Sequence, residues 1–284
     1  MLDYVPYGTI FFTQPLTIES HPMNQIQTPF SLPSWANLRG EKVLIVGGGS
    51  GIGLGSAQLL GALGCEVILA GRNAEKLQAA VGAISGKASA EVVDGRSIDS
   101  IRDMFARVGD FDHLIITMTG RLGGGTFAEV DLGEFRQAFE EKFWPHLTIA
   151  QASLATLSPT GSITFVTGAA ARKVSAGGSG FAAINGALEI MTPTLARELA
   201  PRRVNAVSPG FVATPWYDHI SEAEFTEAEA FAAARLPVGR IGTVSDLAQA
   251  LLYVVANGFV TGSVIECDGG ARISNDTPET GLPK

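Results

Sequence analysis

The stretch Gly47-Gly48-Gly49-Ser50-Gly51-Ile52-Gly53 decides the fold, because it follows an apolar strand directly and opens an amphipathic helix. Glycines lack a Cβ atom, so they permit a tight turn that brings backbone N–H groups and the helix N-terminus close to a pyrophosphate. The strand-turn-helix context predicts a dinucleotide site, and a flexible turn without a ligand is the alternative. The residues predicted to contact the cofactor here are Gly47, Ser50, Gly51, Ile52 and Gly53.

From residue 41 onward, short β-branched runs alternate with amphipathic stretches of helical length. This alternation predicts βαβ units and an α/β domain with a doubly wound parallel sheet of the Rossmann type, covered by helices on both faces. The predicted helices are 53–64, 74–84, 98–107, 131–156, 179–199 and 244–256. The seven predicted strands are Val43–Val46, Glu66–Ala70, Ala90–Val93, His113–Thr117, Ser162–Thr167, Arg203–Val207 and Ser263–Glu266.

Composition narrows the classes of partner. The formal net charge is -8, and Lys and Arg together number only 20 of 284 residues, so a nucleic-acid partner is not expected. Cys65 and Cys267 are isolated and lack ligand-like spacing to the four histidines, which predicts neither a disulfide nor a metal site. No apolar run approaches the roughly 20 residues that span a bilayer. We therefore expect a cytoplasmic protein with a small-molecule substrate and no membrane contact.

Two segments flank the predicted domain at 41–273, and a third is inserted within it. Residues 1–40 form an N-terminal extension; either Met23 is the biological start and the preceding residues are an artefact, or the extension is an arm that packs on a neighbouring subunit. Residues 216–236 follow a Pro-Gly turn with apolar spacing and are predicted to form a helical lid over the site. The tail at 274–284 is polar and is expected to fray.

The tips of the second and third strands bear on the choice of dinucleotide. An acidic residue at the second tip would accept from the ribose 2′-hydroxyl of NAD, whereas an arginine offers donors to the 2′-phosphate of NADP. Arg72 stands there and favours NADP(H) over NAD(H), with a solvated surface arginine as the alternative. Asp94, at the third tip, could accept from an adenine amino group or serve as an ordinary turn residue.

The later motifs resemble those of the short-chain dehydrogenase/reductase family over about residues 40–272. The matching segments are Arg203-Val204-Asn205-Ala206-Val207-Ser208-Pro209-Gly210, Val212-Ala213-Thr214-Pro215, Thr261-Gly262 and Asp268-Gly269-Gly270. The resemblance implies that Val212 and Thr214 hold the nicotinamide carboxamide and that Pro209 and Gly210 let its ring lie flat. It also implies strand order 3-2-1-4-5-6-7 and a homo-oligomer, a tetramer or dimer, paired through helices 131–156 and 179–199.

The same resemblance fails at the catalytic positions. The family's Asn-Asn-Ala-Gly motif reads Thr117-Met118-Thr119-Gly120 and keeps only Gly120, which we expect to line the cofactor. The family's tyrosine and lysine are replaced by Phe181 and Asn185, its serine by Gly168, and its helix asparagine by Lys142. Phenylalanine cannot supply the proton that a developing alkoxide needs, and general acid-base catalysis contributes roughly 10²–10⁴-fold. An ordinary ketoreductase mechanism is therefore not expected.

Several side chains are candidates to replace that chemistry. Lys142 is predicted to point toward Asn185, where it would bind the ribose, anchor an acidic substrate or act as an acid; a lysine that reaches solvent is the alternative. Asn185 is expected to bind the cofactor ribose. The hydroxyl of Thr167, or that of Thr119, could orient a substrate oxygen, although a satisfied strand-end threonine is the simpler interpretation.

Two further pairs of residues lie near the predicted site. Tyr217 and His219, in the predicted lid, could bring a titratable group over the nicotinamide, or could pack as ordinary lid residues. Arg172 and Lys173, after the fifth strand, could attract an anionic substrate, or could be ordinary exposed basic residues of a loop.

Three classes of function remain open from the sequence. The first is an NADP(H)-dependent oxidoreductase with relocated proton transfer, acting for example on an imine, iminium or activated alkene. The second is a non-redox isomerase or cyclase on the same fold, and the third is a non-enzymatic NADP(H)-responsive binding protein.

Overall fold

A seven-stranded parallel sheet forms the centre of the protein in the computed structural model, which describes residues 38–274. The strand order is 3-2-1-4-5-6-7, which confirms the predicted doubly wound arrangement. The strands are β1 Lys42–Val46, β2 Glu66–Gly71, β3 Ala88–Val92, β4 Phe111–Ile116, β5 Leu157–Val166, β6 Arg203–Pro209 and β7 Val264–Cys267. The fifth strand starts five residues before its predicted first residue, Ser162, because its early residues continue the pairing with Phe111 across a register shift.

Eight α-helices connect and cover these strands within the described residues. They are α1 Gly51–Ala62, α2 Ala74–Gly82, α3 Ile98–Val108, α4 Leu132–Ala138, α5 Trp144–Ser153, α6 Ser179–Glu198, α7 Glu222–Ala233 and α8 Val244–Ala256. The predicted extension and tail fall mostly on residues 1–37 and 275–284, which lie outside the described part of the chain. No helix within residues 38–274 is long and apolar enough to cross a membrane.

The prediction of a single helix over residues 131–156 is wrong in one respect. A π-helical turn, Phe139–Phe143, separates α4 from α5. Pro145 lies in the first turn of α5 and has no N–H to donate to the carbonyl four residues before it, so regular α-helical bonding cannot run through this point. The turn carries Lys142, whose side chain is buried.

Alternation along the strands builds one apolar core on each face of the sheet. Val43 and Ile45 of β1 belong to the core shared with α1 and α8, whereas Leu44 and Val46 belong to the core shared with α3 and α5. Gly55 lets α1 approach α8, because a Cβ atom there would collide with Val244. Both faces of the central strands are thus covered, and polar side chains gather where the strands end.

Candidate functional site

The glycine turn after β1 has a geometry that side chains would prevent. Gly47 has φ +90°, and a Cβ atom on it would lie 2.5 Å from Thr117 Oγ1. A Cβ atom on Gly53 would collide with the carbonyl oxygen of Gly47. The N–H of Gly47 donates to the carbonyl of Ala70 at 2.8 Å, which ties the turn to the end of β2. The turn is therefore narrow and fixed at the carboxyl edge of the sheet.

The N-terminus of α1 offers donors at this turn. Helices leave their first N–H groups without intrahelical acceptors, and the side chain of the N-cap residue Ser50 makes no capping hydrogen bond. No acidic side chain occupies the first turn. Gly51, with φ +51°, lies close to Thr214, since a Cβ atom on it would be 3.5 Å from the Thr214 Cβ. The site thus brings the first helix and the segment after β6 together around an anion-binding helix end.

Two basic residues and one carboxylate lie beyond the ends of β2 and β3. Arg72 makes no hydrogen bond to any residue within 38–274, whereas its neighbour Asn73 caps α2 by accepting from the Lys76 N–H. Asp94 accepts from the backbone N–H of Arg96 at 3.1 Å and from its Nε at 3.3 Å. The hydrogen bond from the Arg96 backbone, together with the guanidinium, lowers the pKa of Asp94. The charge of the nearby Arg72 guanidinium contributes to this lowering, although the guanidinium has no hydrogen-bond partner among the described residues.

The segment after β6 closes the opposite side of the turn. Gly210 approaches the backbone of Asp268, and a Cβ atom at Gly210 would lie 2.7 Å from the Asp268 Cα. Val212 is buried and pairs with Gly242 in an isolated parallel bridge. Pro209 ends β6 opposite Cys267 of β7. These contacts fix the backbone that leads to Thr214.

A buried polar cluster lies beside β5. Lys142, with 7% of its surface exposed, donates from Nζ to Asn185 Oδ1 at 2.8 Å and to the carbonyl of Thr167 at 3.0 Å. Asn185 in turn donates from Nδ2 to the carbonyl of Phe181 at 2.8 Å. Burial lowers the pKa of Lys142 to about 8, and the nearby Glu189 carboxylate opposes that change. The Lys142 side chain therefore changes between its charged and neutral forms within one or two pH units of neutrality.

Gly168 and Phe181 frame the same cluster. A Cβ atom on Gly168 would lie 3.3 Å from Asn185 Nδ2, so the glycine leaves room for the amide. The Phe181 ring packs against the loop after β4, where a Cβ atom on Gly124 would be 3.2 Å from the ring. Phe181 thus presents an apolar ring between that loop and Asn185.

Relatives of this chain are known. A family model described as enoyl-(acyl carrier protein) reductase matches residues 47–272. The short-chain dehydrogenase/reductase ATR9 of Stachybotrys chlorohalonatus is 32% identical over 255 residues, which cover 82% of this chain and 98% of that protein. This chain belongs to the short-chain dehydrogenase/reductase family, whose members are oxidoreductases with nucleotide cofactors acting on small molecules.

Two solved structures with the same fold are similar to this chain. A small-chain dehydrogenase in complex with NADPH is 33% identical, with a TM-score of 0.71, covering 83% of this chain and 100% of that one. The MalC reductase/Diels-Alderase from Malbranchea aurantiaca is 27% identical, with a TM-score of 0.78, covering 84% of this chain and 99% of that one.

The predicted reactive hydroxyl of this short-chain dehydrogenase/reductase, that of Thr167, is engaged inside the protein. Thr167 Oγ1 lies 2.9 Å from Glu189 Oε1 and 3.3 Å from the carbonyl of Val207, and its single proton is directed to these acceptors. The side chain is buried. The geometry favours the alternative interpretation, a satisfied threonine at the end of the strand. Thr119, by contrast, is exposed, and its hydroxyl lies 3.3 Å from the carbonyl of Gly120.

The pairing of Arg172 disfavours the possible role of its guanidinium in attracting an anionic substrate. Its Nε donates to Glu189 at 2.8 Å and its Nη1 to Glu266 at 2.6 Å. A guanidinium neutralised by two carboxylates has little charge left for a substrate. This pairing could not be predicted from the sequence, because neither glutamate is near Arg172 along the chain.

The segment predicted as a lid contains α7, and its first residues touch the site. Trp216 Nε1 donates to the carbonyl of Gly120 at 3.3 Å. Tyr217 stacks edge-on against Phe211, and burial raises its pKa above the ordinary value. The His219 ring is 3.0 Å from the Trp216 carbonyl through Nδ1. Aromatic packing therefore dominates the contacts of Tyr217, while closure by this segment stays a prediction.

Sequence reasoning missed two features of the site. Glu189, one helical turn after Asn185, is buried against Thr167 and Arg172. The glycines at 123–125 form the loop that meets Phe181 and the start of α6. The run of three glycines was a usable signal, and so was the position of Glu189, four residues after Asn185 on the same helix face.

Proposed function

We propose that this protein is an NADP(H)-dependent reductase of a small organic substrate in which the Lys142 ammonium replaces the phenolic proton donor of the family. The observation that carries the proposal is the 2.8 Å hydrogen bond from Lys142 Nζ to Asn185 Oδ1. The family resemblance implies an asparagine at position 142 and a lysine at 185. This chain has the two residue types exchanged, and an ammonium and an amide from these two positions are in hydrogen-bond contact.

The nucleotide would be held by groups that fit its charges. The narrow glycine turn and the uncapped N-terminus of α1 suit a pyrophosphate, and Arg72, which makes no hydrogen bond to the described residues, suits a 2′-phosphate. Asp94 would accept from the adenine, Gly120 and Asn185 would contact the nicotinamide ribose, and Pro209, Gly210, Val212 and Thr214 would hold the nicotinamide. When bound, the cofactor supplies the hydride.

Lys142 would contribute the proton or the positive charge. An ammonium has three N–H donors, and the described residues accept from two of them, at Thr167 and Asn185. The third is available to a ribose hydroxyl or a substrate atom. A pKa of about 8 keeps the group mostly protonated at neutral pH and close to the range where an acid is effective. Phe181 gives only an apolar wall, so the proton that a reduced imine or activated alkene takes up would come from Lys142, whereas an iminium takes up hydride without a proton.

A second candidate is a non-redox cyclisation in the same pocket. One relative of the same fold is named as both a reductase and a Diels-Alderase, and a pocket without the phenol could bind and orient a reactive substrate while NADP(H) stays unchanged. The two functions differ in whether NADPH is consumed.

Association of subunits through α4, α5 and α6 also remains a proposal. Exposed apolar residues on these helices support it, since Leu132, Trp144 and Ile190 are 56%, 50% and 78% exposed.

NADPH fluorescence and absorbance test the proposed function. We expect NADPH to bind, and to be oxidised with at least one compound in a panel of imines, iminium ions and activated alkenes. Lys142→Met should retain NADPH binding and lose roughly 100-fold or more in kcat/KM, while Lys142→Arg, which keeps the charge, should lose less. Full activity in Lys142→Met contradicts the assigned donor. Tight binding without NADPH consumption on any panel member, together with substrate turnover, favours the cyclase.

A further inference from the structure

A buried carboxylate lies next to the Lys142 cluster and has no place in the proposed chemistry. Glu189, on α6 one turn after Asn185, is 4% exposed. It accepts from Thr167 Oγ1 at 2.9 Å and from Arg172 Nε at 2.8 Å. A charged carboxylate this deeply buried is unfavourable unless it is paired and hydrogen-bonded. Its two partners satisfy both carboxylate oxygens in the interior.

Thr167 connects this carboxylate to the ammonium. The Thr167 carbonyl accepts from Lys142 Nζ at 3.0 Å, while the Thr167 hydroxyl donates to Glu189. The negative and positive groups are therefore separated by a single residue in a region from which water is largely excluded. Charge interactions in such surroundings are much stronger than at the surface.

The remaining groups around Lys142 leave Glu189 as its main anionic neighbour. Asn185 and Thr167 are neutral. His146, from α5, lies against the Lys142 backbone with Nδ1 2.7 Å from its carbonyl, and burial lowers the pKa of His146 to about 3, so this ring is uncharged. Glu141, the residue before Lys142, has its carboxylate at Gly120 instead.

The cation that pairs with Glu189 is the guanidinium of Arg172, in the turn after β5. Arg172 divides its guanidinium between Glu189 and Glu266 of β7, at 2.8 and 2.6 Å. Its side chain is 44% exposed, so it is the outermost member of the three. A closer pairing of Arg172 with Glu189 weakens the electrostatic attraction between the Glu189 carboxylate and the Lys142 ammonium.

We propose that Glu189 is a positioning residue that keeps the Lys142 ammonium protonated and oriented at neutral pH, and that Arg172 and Glu266 set the strength of this effect. Glu189 acts through Thr167 and by its charge, without touching cofactor or substrate. The inference concerns the titration of Lys142, and it rests on the proposed function only for the use that the site makes of the ammonium.

Titration of Lys142 in the intact protein tests this directly. Lysines labelled with ¹³C at Cε report their protonation by NMR, and the resonance that disappears in Lys142→Met identifies the residue. Glu189→Gln keeps the shape and removes the charge, so we expect it to lower the pKa of Lys142 by about 1 or more. Arg172→Gln removes the competing cation, so we expect it to raise that pKa.

The opposite signs separate a charge effect from a structural one. A merely structural role would lower the melting temperature of both variants while leaving the titration of Lys142 unchanged or moved in one direction, and either result overturns the proposal. If Glu189→Gln does not fold, Glu266→Gln gives the same test from outside the core. It removes the carboxylate that Arg172 shares with Arg272, so that Arg172 directs more of its charge at Glu189, and it should lower the pKa of Lys142. No change, or a rise, contradicts the proposal.

The NMR readout is independent of turnover, so the two proposals can fail separately. If Lys142 titrates as expected but Lys142→Met retains full NADPH oxidation, Glu189 remains the counter-ion and the assigned donor is wrong. If Lys142→Met loses activity but Glu189→Gln leaves the titration unchanged, the donor stands and the role of Glu189 is wrong.

Discussion

The glycine turn at 47–53 and the cluster of Lys142, Thr167, Asn185 and Glu189 are built on different principles. The turn is formed by the backbone of one continuous segment, and its close approaches are possible because its glycines have no side chains. The cluster is made of side chains from three distant segments, and its hydrogen bonds join residues up to 43 positions apart. A backbone site tolerates almost no added atoms, whereas a side-chain cluster can exchange residue types between positions and keep its groups.

The largest expected effect is the loss of nucleotide binding when the turn receives one carbon atom. Gly53→Ala places a Cβ atom against the carbonyl oxygen of Gly47. We expect NADPH affinity, measured by fluorescence titration, to fall by at least about 100-fold, or about 2.7 kcal/mol. Gly82→Ala is the matched control, since a Cβ atom at that helical glycine meets nothing within 4 Å. Unchanged affinity in Gly53→Ala would mean that this turn does not hold the cofactor.

Cofactor choice should depend on one side chain at the edge of the same region. Arg72→Leu is expected to reduce the preference for NADPH over NADH by roughly 10- to 100-fold, because charge-assisted hydrogen bonds contribute about 1.5–3 kcal/mol. Separate titrations with the two cofactors measure the ratio. Arg102→Leu removes an exposed arginine of α3 that makes only a 3.7 Å pair with Asp99, and serves as the control. A preference that survives Arg72→Leu assigns the 2′-phosphate to other residues.

The burial of Lys142 should make the free energy of unfolding depend on pH. The pKa of Lys142 falls from 10.5 to about 8 on folding, so between these values the unfolded chain holds the extra proton. The stability of the unmodified protein relative to Lys142→Met should therefore be flat below about pH 8 and rise above it, by up to about 1.4 kcal/mol per pH unit. Urea unfolding of both proteins at several pH values measures the difference. A difference that is constant, or falls, between pH 8 and 10 contradicts a buried ammonium.

The smallest effect concerns the space that Gly168 leaves for Asn185. Gly168→Ala adds a Cβ atom 3.3 Å from Asn185 Nδ2, and should destabilise the protein by about 1 kcal/mol. The loss should largely vanish when Asn185 is also alanine, because the two sites are in contact. Gly186→Ala, where a Cβ atom meets nothing within 4 Å, should cause no loss. Thermal unfolding of the four variants gives the coupling energy between positions 168 and 185. Strictly additive effects would contradict the proposal that Gly168 leaves space for Asn185.

These comparisons also explain what the sequence could and could not predict. The doubly wound α/β sheet and the glycine turn could be predicted from the residues themselves, whereas the strand order was implied by the family resemblance. The π-helical turn at Lys142 could not, because the effect of Pro145 on the preceding carbonyl depends on the helix being continuous. The pairing of Arg172 with Glu189 and Glu266 was invisible for a similar reason, since it joins residues 17 and 94 positions apart.

The position of Lys142 shows an intermediate case. Its side chain was predicted to point toward Asn185 from the family resemblance, and the structure has the two in hydrogen-bond contact. What the sequence lacked was the neighbourhood that decides the protonation of the ammonium, namely burial on one side and the Glu189 carboxylate on the other.

A crystal structure with NADPH bound tests the central claim, that an ammonium from the helix carrying Lys142 serves the site in place of a phenol. The account predicts that Lys142 Nζ lies within hydrogen-bond reach, about 3.5 Å or less, of the nicotinamide ribose or of the space beside the reacting carbon. Phe181 should contribute only its ring to that space. A structure in which Lys142 stays sealed behind Thr167 and Asn185, with another acidic side chain facing the nicotinamide, would contradict it.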